Sequence, residues 1–193
     1  MEERTHERAG TRGPMEERTL SSTHPWTGRR IGVRVDTVER DDGHRTTREI
    51  IEHPGAVAIL AWDGARIAMV RQWRHATGQT LLEIPAGTLE PDEEPLATAR
   101  RELAEEVGLA AAGWVVGPRF YTAPGFCDEV MHVFLATGLA EASGQADEDE
   151  QLEPSWMTLD DALAAIDDGR VMDAKSIAAI NWLARRLPLP PTT

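Results

Sequence analysis

The sequence predicts an α/β protein: a sandwich around a mixed sheet, preceded by a small N-terminal β subdomain. Three observations carry this. Ile31, Val33 and Val35 alternate with polar residues, as in a half-buried strand. GAVAILA at 55–61 is a nearly continuous apolar run, the signature of a strand covered on both faces. Leu96, Ala99, Leu103 and Val107 recur at helical spacing. Strands and helices mix without regular βα alternation, which suggests an α/β sandwich around a mixed sheet.

Taken in order, residues 1–25 are polar and charged, with Gly10, Gly13 and Pro14 and no periodicity, so a disordered tail is expected. MEERT occurs in it at Met1–Thr5 and again at Met15–Thr19, and we attach no function to the repeat. Residues 26–52 form a β region: Arg30–Ile51 reads as a hairpin turning at Asp41-Asp42-Gly43. A lone hairpin is marginal in water, so it should pack on the main domain or on a second subunit. The main domain is expected over 53–187. Gly55–Ala61 is its central strand and Arg66–Gln72 its antiparallel partner across the turn Trp62-Asp63-Gly64. Trp73–Thr80 reads as a loop holding Arg74 and His75, and Leu81–Ile84 as a short strand.

Gly87–Asp92 then reads as a loop, followed by a helix that opens with Pro95 in its first turn and closes at Gly108, a left-handed cap. Gly113–Tyr121 and Met131–Thr137 read as strands around the loop 122–129, and Ser155–Thr158 as a last strand. Leu159–Asp168 and Lys175–Leu187 are amphipathic helices, the second capped by Asp173, and 188–193 is a frayed tail.

Charge narrows the function. The net charge of −13 argues against nucleic acid as the main partner, because phosphate binding needs clustered bases. Residues 1–52 carry 11 acids against 10 bases, and the rest of the chain 22 against 10. An acidic protein acting on an anionic substrate needs metal ions between the two. No apolar run approaches the ~20 residues of a membrane span, and no signal-peptide pattern is seen. With Cys127 the single cysteine, a reducing cytoplasm is the simplest home.

The stretch 87–109, GTLEPDEEPLATARRELAEEVGL, is the chemical centre. Glu102 and Glu106, one helical turn apart, share a face. Like charges so placed cost roughly 0.2–0.5 kcal/mol, a penalty that a cation between them reverses. Oxygen-only ligands favour a hard ion, Mg²⁺ or Mn²⁺. An acidic helix face alone would read as merely solvated. Here Gly87, five residues, Glu93, seven residues, then Arg101-Glu102-Leu103-x-Glu105-Glu106-x-Gly108-Leu109 matches the Nudix box at every fixed position, and the chain resembles a Nudix hydrolase.

Over residues 30–187 it most resembles the ADP-ribose pyrophosphatase branch. Leu82-Glu83-Ile84-Pro85-Ala86-Gly87 is similar to that branch's approach to the box, Pro124 stands where it places a marker proline, and Asp147-Glu148-Asp149-Glu150 resembles its acidic loop. The resemblance implies an α/β/α sandwich, and a homodimer exchanging its N-terminal strands. It implies two or three Mg²⁺ ions, ligated by Glu102, Glu106, the carbonyl of Ala86 and Glu150. Glu105 is implied as a further ligand or anchor, and Arg101 as the residue that orients the glutamates. Glu93 braces the loop–helix structure. Glu148 is the implied general base on a mobile loop, with Asp147 and Asp149 as neighbours that leave the choice among carboxylates open. Arg74 resembles the arginine that takes substrate phosphate, with Arg71 the weaker choice. Trp26 or Ile31, from a partner subunit, would stack on adenine, and Pro124 and Gly125 would line the substrate.

The implied reaction is Mg²⁺-dependent hydrolysis of ADP-ribose to AMP and ribose 5-phosphate. The alternatives are another nucleoside diphosphate sugar, UDP-glucose or GDP-mannose, and a non-catalytic module that senses ADP-ribose. His53, His75 and His132 lack metal-ligand spacing, and Cys127 lacks a base partner.

Overall fold

The computed structural model describes residues 15–143 and 151–186. They fall into two compact units that divide between Glu52 and His53.

The first unit is a three-stranded antiparallel sheet of β1 (Arg18–Thr27), β2 (Gly32–Glu39) and β3 (Arg45–Glu52), in that order. The expected hairpin is β2–β3, turning through Gly43 at φ 80°. Strand β1 corrects the expectation of disorder over residues 18–25. Its sequence, RTLSSTHPWT, has no apolar alternation and every residue in it is exposed. Its order comes from backbone pairing to β2, from Arg18↔Glu39 to Thr27↔Gly32, which a search for buried faces does not detect.

The second unit begins with β4 (Ala56–Ala61), every residue of which is buried. Its four-stranded sheet also contains β7 (Ala86–Thr88), β8 (Leu109–Tyr121) and β9 (Val130–Glu141), in the order β7-β4-β9-β8. Only β4 and β9 run parallel, so the sheet is mixed. A smaller sheet holds β5 (Arg66–Arg74), β6 (Gln79–Glu83) and β10 (Leu152–Thr158), with β5 central.

This layout corrects the expected pairing of Arg66–Gln72 with the central strand. Both edges of β4 are taken, by β7 and β9, and β5 is joined to the end of that run by an isolated bridge, Trp62↔Ile67, rather than by a ladder. The Trp73–Thr80 loop is also shorter than expected. Arg74 still pairs with Gln79, and the turn closes at Gly78 with φ 67°.

Two faces explain the unbroken apolar run in β4. Val57, Ile59 and Ala61 pack with Ala99 and Leu103 of α1 (Pro95–Val107). Ala56, Ala58 and Leu60 pack with Ala162 and Ala165 of α2 (Leu159–Asp167) and with Ala179, Ile180 and Leu183 of α3 (Ala174–Ala184). Helix α1 starts with Pro95 and stops at Gly108, whose φ of 65° lets its N–H reach the carbonyls of Leu103 and Ala104. The Asp173 carboxylate caps α3 by accepting from the Ser176 N–H. No helix among the described residues is long and apolar enough to cross a membrane.

Candidate functional site

The site is built where α1 crosses the edge strand β7. Strand β7 pairs with β4 and has no second strand beside it among the described residues, so the outward N–H of Ala86 needs another acceptor. Glu106 supplies it: its Oε2 accepts from Ala86 N at 2.9 Å, although the residues are 20 apart in the chain. At 7% exposure the Glu106 carboxylate is held by the fold rather than left in solvent.

Glu102, one turn earlier, is set against the next residue of β7. A Cβ on Gly87 would stand 1.9 Å from the Glu102 Cδ and 1.9 Å from its Oε1. The glycine makes the cradle in which that carboxylate lies. Backbone strain is not the reason, since Gly87 is absent from the positive-φ residues.

Arg101 gathers the remaining acids. Its Nη1 donates to Glu102 Oε1 at 2.7 Å and to Glu105 Oε2 at 2.9 Å. Its Nε and Nη2 donate to Glu93 at 3.3 and 3.1 Å, and Nη2 reaches the Thr88 carbonyl at 3.5 Å. Burial opposes the Arg101 charge, but Glu93, Glu102 and Glu105 outweigh it and raise the guanidinium pKa. The Arg101 hydrogen bond in turn holds Glu93 below the ordinary carboxylate range, against some desolvation. Asp92, just before Glu93, takes the left-handed conformation at φ 62°, which a short polar residue tolerates.

Three carboxylates, those of Glu93, Glu102 and Glu105, therefore meet one guanidinium, an imbalance that favours a cation. The donor set suits a hard divalent ion: two carboxylates on one helix face, locked to the backbone of Ala86 and to the cradle of Gly87. Among the described residues, no three acidic, histidine or cysteine side chains already stand together as a complete cage. Glu148 and Glu150, with Asp147 and Asp149, lie outside the described residues.

The other expected residues are carried by other elements. Arg74, at the end of β5, grips the buried Glu83 through Nε at 2.9 Å and Nη2 at 2.7 Å. Pro124 and Gly125 are exposed in a turn where the N–H groups of Phe126 and Cys127 donate to the Ala123 carbonyl. That turn is tied at its base by Thr122 Oγ1 donating to Glu129 Oε2 at 2.5 Å. Trp26 and Ile31 belong to the first unit. Trp26 is 52% exposed with its ring over Gly28, and the half-buried Ile31 accepts from Gly28 N at 2.9 Å.

Glu83, Lys175 and Ser176 were not legible as site-supporting residues. Glu83 is 1% exposed and is held by both Arg74 and Lys175. Ser176 Oγ accepts from Ile84 N at 2.9 Å, fixing the strand that leads into Ala86. The available signal was a lone acid within Leu82-Glu83-Ile84: an acid on a buried strand demands a cation.

Comparison with known proteins shows the family. Residues 52–179 match the family described as the NUDIX domain. The ADP-ribose pyrophosphatase of Bacillus subtilis strain 168 is 45% identical over 172 residues, 88% of this chain and 93% of that protein. The methanol dehydrogenase activator of Bacillus methanolicus is 40% identical over 173 residues, 87% of this chain and 92% of that protein. A crystal structure of an ADP compounds hydrolase aligns with a TM-score of 0.81 over 92% of this chain and 97% of its own, at 22% identity, a likeness of fold.

Proposed function

The chain belongs to the Nudix family, and from that premise we propose that this hydrolase splits the pyrophosphate bond of ADP-ribose to give AMP and ribose 5-phosphate. The observation that carries the reaction class is the anchoring of Glu106 on Ala86 N beside Glu102 in the Gly87 cradle. The substrate rests on the 45% identical relative named ADP-ribose pyrophosphatase.

A diphosphate is anionic and resists attack by water, so the reaction needs charge neutralisation and an aligned nucleophile. Glu102, Glu106 and the Ala86 carbonyl would hold Mg²⁺, with Glu150 completing a set of two or three ions. The bound metal supplies the positive charge and Lewis acidity that the diphosphate needs. Arg101 keeps Glu102 and Glu105 oriented. Glu148 takes the proton from the attacking water. Arg74 takes a phosphate oxygen, Pro124 and Gly125 line the substrate, and Trp26 or Ile31 of a second subunit stacks on adenine.

That last role requires a homodimer with exchanged N-terminal strands, residues 26–52 being its dimerisation region and 53–187 the hydrolase domain. The wholly exposed β1 supports it, because a small sheet with such an edge gains from a partner. A chain that sediments as a monomer at micromolar concentration would sink the dimer. Its single cysteine suits a reducing cytoplasm.

The deciding experiment is product analysis with ADP-ribose, UDP-glucose, GDP-mannose and Ap4A, with and without Mg²⁺. Metal-dependent AMP and ribose 5-phosphate, fastest from ADP-ribose, is the expected result. Preference for UDP-glucose or GDP-mannose keeps the chemistry and changes the substrate. Tight ADP-ribose binding without turnover makes the chain a sensor.

A further inference from the structure

Beyond the box, the second unit contains a chain of alternating charges of which the steps above use Arg74 alone. Arg74 holds Glu83, Glu83 holds Lys175, and Lys175 holds Asp173 at 2.9 Å, while Asp173 caps α3. The side chains of Glu83, Lys175 and Asp173 are 1%, 12% and 14% exposed, and that of Arg74 is 36% exposed. The solvent-reachable end of the chain is therefore an arginine.

Its placement is unusual. In the β5–β6 ladder Arg74 stands opposite Gln79, whereas Glu83 stands opposite Val70. Arg74 and Val70 are four residues apart on one strand, about 13 Å at the rise of an extended chain. Both point to the same face, so the arginine leans back along the sheet to meet Glu83. Glu83 comes three residues before Ala86, so it draws the guanidinium away from the strand end and toward the segment that enters the box. The two-point grip on Nε and Nη2 also sets the guanidinium plane. A half-exposed arginine without that grip would spread over solvent rotamers.

We propose that Glu83, backed by Lys175 from α3, is a positioning residue that sets where Arg74 presents its charge to a substrate phosphate. The proposal rests on the phosphate role of Arg74 given above. Glu83 does not touch substrate in this account. It acts through Arg74, and Lys175 keeps the buried carboxylate from depending on Arg74 alone.

The test is a double-mutant cycle on kcat/KM, using Arg74→Ala, Glu83→Gln and the pair, with whichever of the four nucleotides above is turned over fastest. Glu83→Gln should lower kcat/KM about tenfold, chiefly through KM, in the wild-type background and by less than about twofold once Arg74 is alanine. Glu83→Asp should recover part of the loss. An equal loss in both backgrounds, or none in the wild type, overturns the proposal. An Arg74→Ala variant with unchanged KM overturns the phosphate role of Arg74 itself, a result read from that variant alone. Should Glu83→Gln not fold, Lys175→Met takes its place in the cycle, with about threefold expected in the wild type and no further loss beside Arg74→Ala.

Discussion

A Cβ on Gly87 would lie 1.9 Å from the Glu102 Cδ, so the Glu102 carboxylate can rest against the strand only while residue 87 has no side chain. The atoms it would strike are the end of a flexible side chain, and the backbone there is unstrained. Gly87→Ala should therefore cost less than about 1 kcal/mol of stability, because the glutamate swings aside. The same swing should raise the Mg²⁺ concentration for half-maximal activity by about 10- to 100-fold. Thermal melts beside a Mg²⁺ titration of activity check both parts. A large loss of stability with unchanged metal dependence would refute this account of the cradle.

Glu106→Gln separates chemistry from scaffolding. The amide oxygen can still accept from Ala86 N, so the fold should survive. The charge is lost, and kcat should fall about a thousandfold. ADP-ribose binding followed by calorimetry beside turnover tells the two readings apart. Unchanged turnover would remove Glu106 from the site.

Ser176→Ala tests the hold of α3 on the strand before the box. It leaves the buried N–H of Ile84 without its acceptor at 2.9 Å. The expected cost is about 1–3 kcal/mol in urea unfolding. A loss below a few tenths would show that the contact contributes nothing.

Acid should weaken the protein through Glu93 and Glu83. Arg101 holds Glu93 below the ordinary carboxylate range. Burial alone would raise Glu83, but Arg74 and Lys175 outweigh it and its pKa is also lowered. Depressed carboxylates contribute stability that is fully present above the unfolded value, about pH 4.3, and is lost as the pH falls through their folded values. Urea midpoints should therefore hold between about pH 7 and 5 and fall steeply below about pH 4. In Arg101→Ala the neutral-pH midpoint should drop and the acid decline should flatten. An acid limb of the same depth in both proteins would contradict the assignment to Glu93.

The elements were legible where burial writes a period into the chain. The apolar run of β4, the stripe of α1 and the cap at Gly108 all follow from local rules. Strand β1 was not legible, since it buries nothing and is ordered by pairing. The partner of β5 was not legible either, because adjacency in the chain suggests β4, whereas competition for the edges of β4 decides otherwise.

The sequence by itself determined the family, the mixed α/β class, and the carriage of Glu102 and Glu106 on one helix face, because spacing along a helix is a local property. Only the tertiary structure decided what else those carboxylates lean on: Ala86 N from an edge strand and the missing Cβ of Gly87. It also decided that Arg74, read as a loop residue, spends its charge on a buried Glu83 that α3 helps to neutralise. These relations join residues far apart in the chain, and burial makes them selective: a carboxylate removed from water must find its donors wherever the packing brings them.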